Sequence, residues 1–142
     1  MTTNIGKFRA QINTLIEFVS NVAPGDRELE KNKMKLETAM KINPRETVEF
    51  FVDTLEPYAD HILLGNEEYF TQTSDETFQI DSEYSQFSAT LRRLWSNLDK
   101  EETEFIKKRF KLLLMLGTVA VKHEKLRNII NKYRDPSNPL IF

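Results

Sequence analysis

Cysteine is absent from the 142 residues, which excludes disulfides, a thiolate nucleophile, iron–sulfur ligation and cysteine zinc sites. Glycine and proline are sparse, at 4 and 5, so few turns interrupt the chain. No stretch shows the period-two alternation that a half-buried strand needs. The longest apolar run, Phe110 to Val121, contains Lys111 and Gly117 and falls well short of the roughly 20 residues that cross a bilayer. The opening MTTNIGKFRA lacks the basic region and apolar core of a secretory signal. These absences lead to the expectation of an intracellular, all-α chain with no membrane partner. With 39% hydrophobic residues and Phe 10, one helical domain spanning 1–142 can bury a sizeable core without covalent staples.

What is present reads as a succession of helices. Phe8, Ile12, Leu15, Ile16, Val19 and Val22 share one stripe at 100° per residue, and Ala23-Pro24-Gly25 ends that helix. Asp26 is placed to cap a second helix carrying Leu29, Leu36 and Met40. Asn43-Pro44-Arg45-Glu46 offers a cap, a proline at the first helical position and a carboxylate at the third. Val48, Phe51, Val52 and Leu55 face the core of a third helix, which Pro57 kinks or restarts before Ile62, Leu63 and a stop at Gly65. Residues 66–81 read as an acidic, aromatic loop with at most one helical turn near Glu67 to Phe70. Tyr84, Phe87, Leu91, Leu94, Trp95 and Leu98 then mark a helix from about Ser82 to Asn97.

Asp99 with Glu102 forms a capping-box pattern opening a final helix that runs to about Tyr133. Phe105, Leu112, Leu113, Leu116, Val119, Ala120 and Ile130 make its main stripe, with Phe110, Leu114 and Val121 nearly opposite. A helix apolar all round is buried all round, so it is expected either at the bundle centre or with a second face against another subunit. The expectation is a bundle of five or six helices with this long hydrophobic C-terminal helix at its centre. Residues 135–142 form a tail ending in Leu140, Ile141 and Phe142, whose apolar side chains favour docking, on the bundle or on a neighbouring copy.

Charge is segregated along the chain. Between Arg45 and Arg92 there is no lysine or arginine, only Glu46, Glu49, Asp53, Glu56, Asp60, Glu67, Glu68, Asp75, Glu76, Asp81 and Glu83. From Lys107 to Arg134 nine cations face the single Glu124. Either the two regions pair within the molecule through weak surface contacts, or one of them recruits a partner of opposite charge. A sequence pI near 5.8 weighs against nucleic acid.

Catalytic patterns are missing. His61 and His123 are far apart in sequence, no HExxH or GxSxG occurs, and the four glycines are isolated. His123 is expected to be a core or boundary residue with one hydrogen bond, and His61 a surface or helix-end residue. No catalytic, cofactor-binding or metal residue is assigned and no cofactor is expected. The candidate partner-binding residues are Glu67, Glu68, Tyr69, Phe70 and Phe78 in the acidic loop, aromatic anchors with a charged rim, together with Leu140, Ile141 and Phe142. The alternative is nucleic-acid contact through Lys107, Lys108, Lys111, Lys122 and Lys125.

The stretch Asn43-Pro44-Arg45, Val48 to Phe51, Pro57-Tyr58, Ile62-Leu63 and Asn66-Glu67-Glu68-Tyr69-Phe70 resembles a segment of small helical proteins encoded by large nucleocytoplasmic DNA viruses. The resemblance covers about a third of the chain. It implies a viral source and a role in the virion or virus factory, and it carries no catalytic residues. Together these readings point to a non-enzymatic protein-interaction or structural component, whose partner is another protein with a basic surface or a second copy of the chain.

Overall fold

The computed structural model describes residues 3–67, 70 and 83–133, and every regular element among them is helical. In chain order these are α1 (Asn4–Val22), α2 (Arg27–Ile42), α3 (Pro44–Leu55), a 3-10 turn (Glu56–Tyr58), α4 (Ala59–Leu64), α5 (Glu83–Trp95), α6 (Lys100–Val121) and α7 (Glu124–Lys132). The fold is an all-α bundle, as the periodicity implies.

Local chemistry sets most boundaries. Thr3 caps α1 by accepting the Gly6 N–H at 2.9 Å, and Asp26 caps α2 by accepting the Leu29 N–H at 3.0 Å. Asn43 stands at the cap position of α3, but its side chain makes no capping bond. Pro44 starts that helix instead, with φ already fixed and no N–H to satisfy. Pro57 tightens the chain into the 3-10 turn rather than ending the helical path. Gly65 then closes α4 at φ 75°, where a Cβ would be costly. Asp99 and Glu102 make the full reciprocal box at 2.8 and 2.9 Å.

The core is joined by an aromatic row. Phe8 meets Phe51 edge-on at 4.9 Å, Phe51 stacks toward Phe110 at 6.3 Å, Phe110 receives Phe70 edge-on at 5.0 Å, and Phe70 stacks on Trp95 at 4.4 Å. That row ties α1, α3, α6, residue 70 and α5 together. Between α2 and α5, buried Asn32 donates its amide to the hydroxyl of buried Thr90.

Two sequence expectations need correction. The helix opened by Asp99 does not reach Tyr133, because Lys122 adopts the left-handed conformation (φ 55°, ψ 49°) and His123 caps a separate α7. The long helix is therefore not the C-terminal one. Its core face is also not the stripe chosen from the sequence. Thr103, Ile106, Phe110, Leu113, Leu114, Gly117 and Thr118 are buried, while Phe105, Leu112, Leu116, Val119 and Ala120 are half-buried. Phe110 and Leu114 are fully covered by their own chain, which removes them as a face for another subunit.

Helix α6 packs against α1, α3, α4 and α7, and Gly117 permits the closest approach. A Cβ there would stand 2.6 Å from Cγ1 of Val52 and 3.4 Å from Phe8 and Val48. Val52 is fully buried, so its methyl group would have to shift within the core to make room. Alanine would gain about 1 kcal/mol of helix propensity against about 1–3 kcal/mol of overpacking. Gly117→Ala should therefore lower the melting temperature, although the same change at an exposed helical position would raise it. An unchanged or higher melting temperature would show that the crossing yields at this point.

Candidate functional site

The acidic region and the basic C-terminal region meet along one rim of the bundle. Successive turns of α3, the 3-10 segment and α4 present Asp53, Glu56 and Asp60 to the α6–α7 elbow and to α7. His123 Nε2 lies 3.3 Å from Asp53 Oδ1, Lys125 Nζ lies 2.7 Å from Glu56 Oε1, and the Tyr133 hydroxyl donates to Asp60 Oδ1 at 2.6 Å. By accepting that hydrogen bond, Asp60 holds the Tyr133 phenol's pKa above its ordinary value. Further along, Lys107 contacts Glu67 at 3.5 Å and Glu104 at 2.7 Å. Glu104 raises the Lys107 ammonium above its ordinary value, and Lys107 in turn lowers the Glu104 carboxyl. Among the described residues, two of the C-terminal cations, Lys107 and Lys125, are thus paired with carboxylates of the acidic region.

His123 sits where its two nitrogens do different work. Nδ1 accepts the Leu126 N–H at 3.2 Å, which caps α7, so the proton rests on Nε2 and points at Asp53. The expected half-buried boundary position is met, with two partners rather than one. His61 lies half-buried in the last turn of α4. Among the described residues, no group of three or more metal-ligating side chains stands together, and no helix is long and apolar enough to cross a membrane. Two shallow clefts flank the elbow. One of about 360 Å³ is lined by Asn4, Thr118, Val119, Lys122, Glu124 and Arg127, and one of about 450 Å³ by Asp53, Val121, His123 and Lys125, among others.

The residues singled out from the sequence divide sharply. Glu67 is exposed and engaged with Lys107. Phe70 is 2% exposed and stacked on Trp95, so it belongs to the core and offers no surface anchor. Glu68, Tyr69, Phe78, Leu140, Ile141 and Phe142 lie outside the described residues. Of the basic residues, Lys107 and Lys125 are committed to carboxylates, whereas Lys108, Lys111 and Lys122 are exposed.

Other groups escaped the sequence reading. Ile42, at the end of α2, is 69% exposed, and Phe50, one turn after Glu46 on α3, is 42% exposed. A cleft of about 490 Å³ at the α2–α3 corner is lined by Ile42, Asn43, Pro44, Arg45, Glu46 and Glu49, with Arg45 Nε 3.2 Å from Glu49 Oε1. The apolar positions left over after the core stripes of α2 and α3 are assigned would have pointed to Ile42 and Phe50. On another face Phe18 stacks on Phe105 at 4.0 Å and Arg109 covers the Phe105 ring at 4.8 Å.

No family model matches the chain, and neither a search of curated proteins nor one of solved structures finds a match.

Arg93 bridges two carboxylates, with Nη2 at 2.8 and 2.7 Å from the two oxygens of Asp26 and Nε at 3.1 Å from Glu28. The Arg93 hydrogen bonds, then that from the Leu29 N–H, hold the Asp26 carboxyl below its ordinary value of 3.8. A carboxyl depressed on folding contributes stability that is complete above the unfolded value and is lost as pH falls through the folded one. Arg93→Gln should therefore melt below the wild type at neutral pH, with a gap that closes on acidification beneath 3.8. A gap independent of pH would assign the effect of Arg93 to packing alone.

Proposed function

We propose that this chain is a non-enzymatic helical protein-interaction or structural component that binds a protein with a basic surface. The observation carrying the reading is the exposure of two large apolar side chains, Ile42 at the α2–α3 corner and Phe50 further along α3, with exposed Glu46 between them in the chain. Apolar anchors inside a charged rim are the form in which interfaces concentrate binding energy, and with Glu49 paired to Arg45 the Glu46 carboxylate is the group that favours a cationic partner. The acidic segment 66–81, with Glu68, Tyr69 and Phe78, and the tail Leu140, Ile141 and Phe142 extend the same proposal. The resemblance at residues 43–70 adds a role in a virion or virus factory.

Capture experiments from the native source test this reading. Ile42→Lys with Phe50→Lys removes both anchors and reverses the local charge at exposed positions, where stability changes are usually within about 0.5 kcal/mol. Basic proteins retained by the wild type should be lost by this variant. Identical capture by both would sink the α2–α3 corner as the contact.

A second reading, a nucleic-acid accessory factor, draws on Lys108, Lys111 and Lys122, which are exposed and make no ion pair among the described residues. Binding through them would weaken steeply with salt. With Lys107 and Lys125 already engaged, titration with duplex or single-stranded DNA or RNA at about 150 mM salt should give negligible binding. Sub-micromolar affinity would favour this second reading over the first.

A further inference from the structure

We propose that the elbow between α6 and α7 is a hinge for domain swapping, through which α7 of one copy can occupy the same groove on a second copy. The partner is another molecule of this chain, independent of the basic protein proposed above.

The hinge is visible in the backbone. Lys122 is the one non-glycine residue with positive φ among the described residues, a conformation disfavoured for any side chain with a Cβ. Val121-Lys122-His123-Glu124 contains neither glycine nor proline, and the sequence pattern runs through it as one helix from Lys100 to Lys132. Nothing in the local sequence requires the break. Straightening it would relieve the Lys122 conformation and close the backbone hydrogen bonds that the elbow interrupts. Such a helix is about 50 Å long, so α7 would project away from its own groove.

The released element is a complete docking unit. Leu126 and Ile130 are fully buried, and α7 packs against α4 and α6 beside the acidic rim. His123, Lys125 and Tyr133 meet Asp53, Glu56 and Asp60 one pair at a time along that rim. A second copy carries the identical groove and the identical carboxylates. Two straightened copies would each receive the other's α7, so the contacts are reproduced and the assembly closes with twofold symmetry. The balance between monomer and dimer then rests on the elbow and on concentration, not on new surface.

Substitutions at the elbow should move that balance in opposite directions. Lys122→Gly removes the penalty of the bent form and weakens a continuous helix, which favours monomer. His123→Ala deletes the α7 cap, needed only when the chain is bent, and places a good helix former in the straight form. Lys122→Val deepens the left-handed penalty with the cap intact and serves as the control should loss of the cap impair folding. Because each dimer contains two elbows, dissociation constants from sedimentation equilibrium should rise about tenfold or more for Lys122→Gly, and fall by a similar factor for the other two variants.

Carbodiimide coupling of the Lys125–Glu56 pair distinguishes a swap from an ordinary dimer. When ¹⁵N-labelled and unlabelled chains are mixed, the dimer fraction should contain coupled peptides of mixed isotope and the monomer fraction only peptides of one isotope. The proposal is overturned if His123→Ala and Lys122→Val both stay monomeric up to about 1 mM, or if their dimers yield only single-isotope couplings.

Discussion

The crossing of α6 over α3 and α1 at Gly117 is the contact on which the rest of the bundle depends. Close packing there brings Phe110, one full turn before Leu114 and two before Gly117, against Phe51 and Phe70. Phe70 in turn seats Trp95 and hence α5. Moving α6 outward by the width of a methyl group would open the aromatic row along its length, since protein interiors hold few voids that can absorb such a shift. A helix-destabilising residue is retained in the longest helix because packing outweighs propensity at that point.

Polar contacts then decide how the elements align. The buried Asn32–Thr90 bond gives α2 and α5 one favourable register, and the Arg93 clamp on Asp26 and Glu28 secures the same pair at its rim. On the opposite side the row Asp53, Glu56, Asp60 positions α7. Exposed pairs of this kind add little stability. Their value lies in excluding the alternative placements that a short amphipathic helix such as α7, with only Leu126 and Ile130 fully buried, would otherwise sample.

Helix class, most helix limits and the three side-chain caps at Asp26, Asp99 and Glu102 were legible in the sequence because they depend on residues within one turn of each other. The Lys122 break was not legible. It goes with the packing of α7 back against α4 and of His123 against Asp53, tertiary contacts that leave no glycine or proline as a marker. The core face of α6 was misjudged for a related reason: Gly117 and Thr118 count as neutral in an apolar stripe, yet both are buried, Gly117 against Val52. For the candidate site, the segregation of charge was plain from composition, but whether those charges face one another depends on how α7 folds over α3. Phe70 shows the same limit. Its acidic neighbours suggest a surface, and only the position of Trp95 reveals that the ring points inward.

The stacking of Phe70 on Trp95 has a spectroscopic consequence. The chain holds a single tryptophan, and that indole is 7% exposed with a phenyl ring lying parallel to it at an interplanar angle of 4°. Its emission therefore originates from one environment, at the junction of the acidic segment with the helical core. Departure of Phe70 from that seat would admit water to the indole and move its emission to longer wavelength while the helices remain intact, so an intrinsic optical signal separates release of Phe70 from unfolding of the bundle.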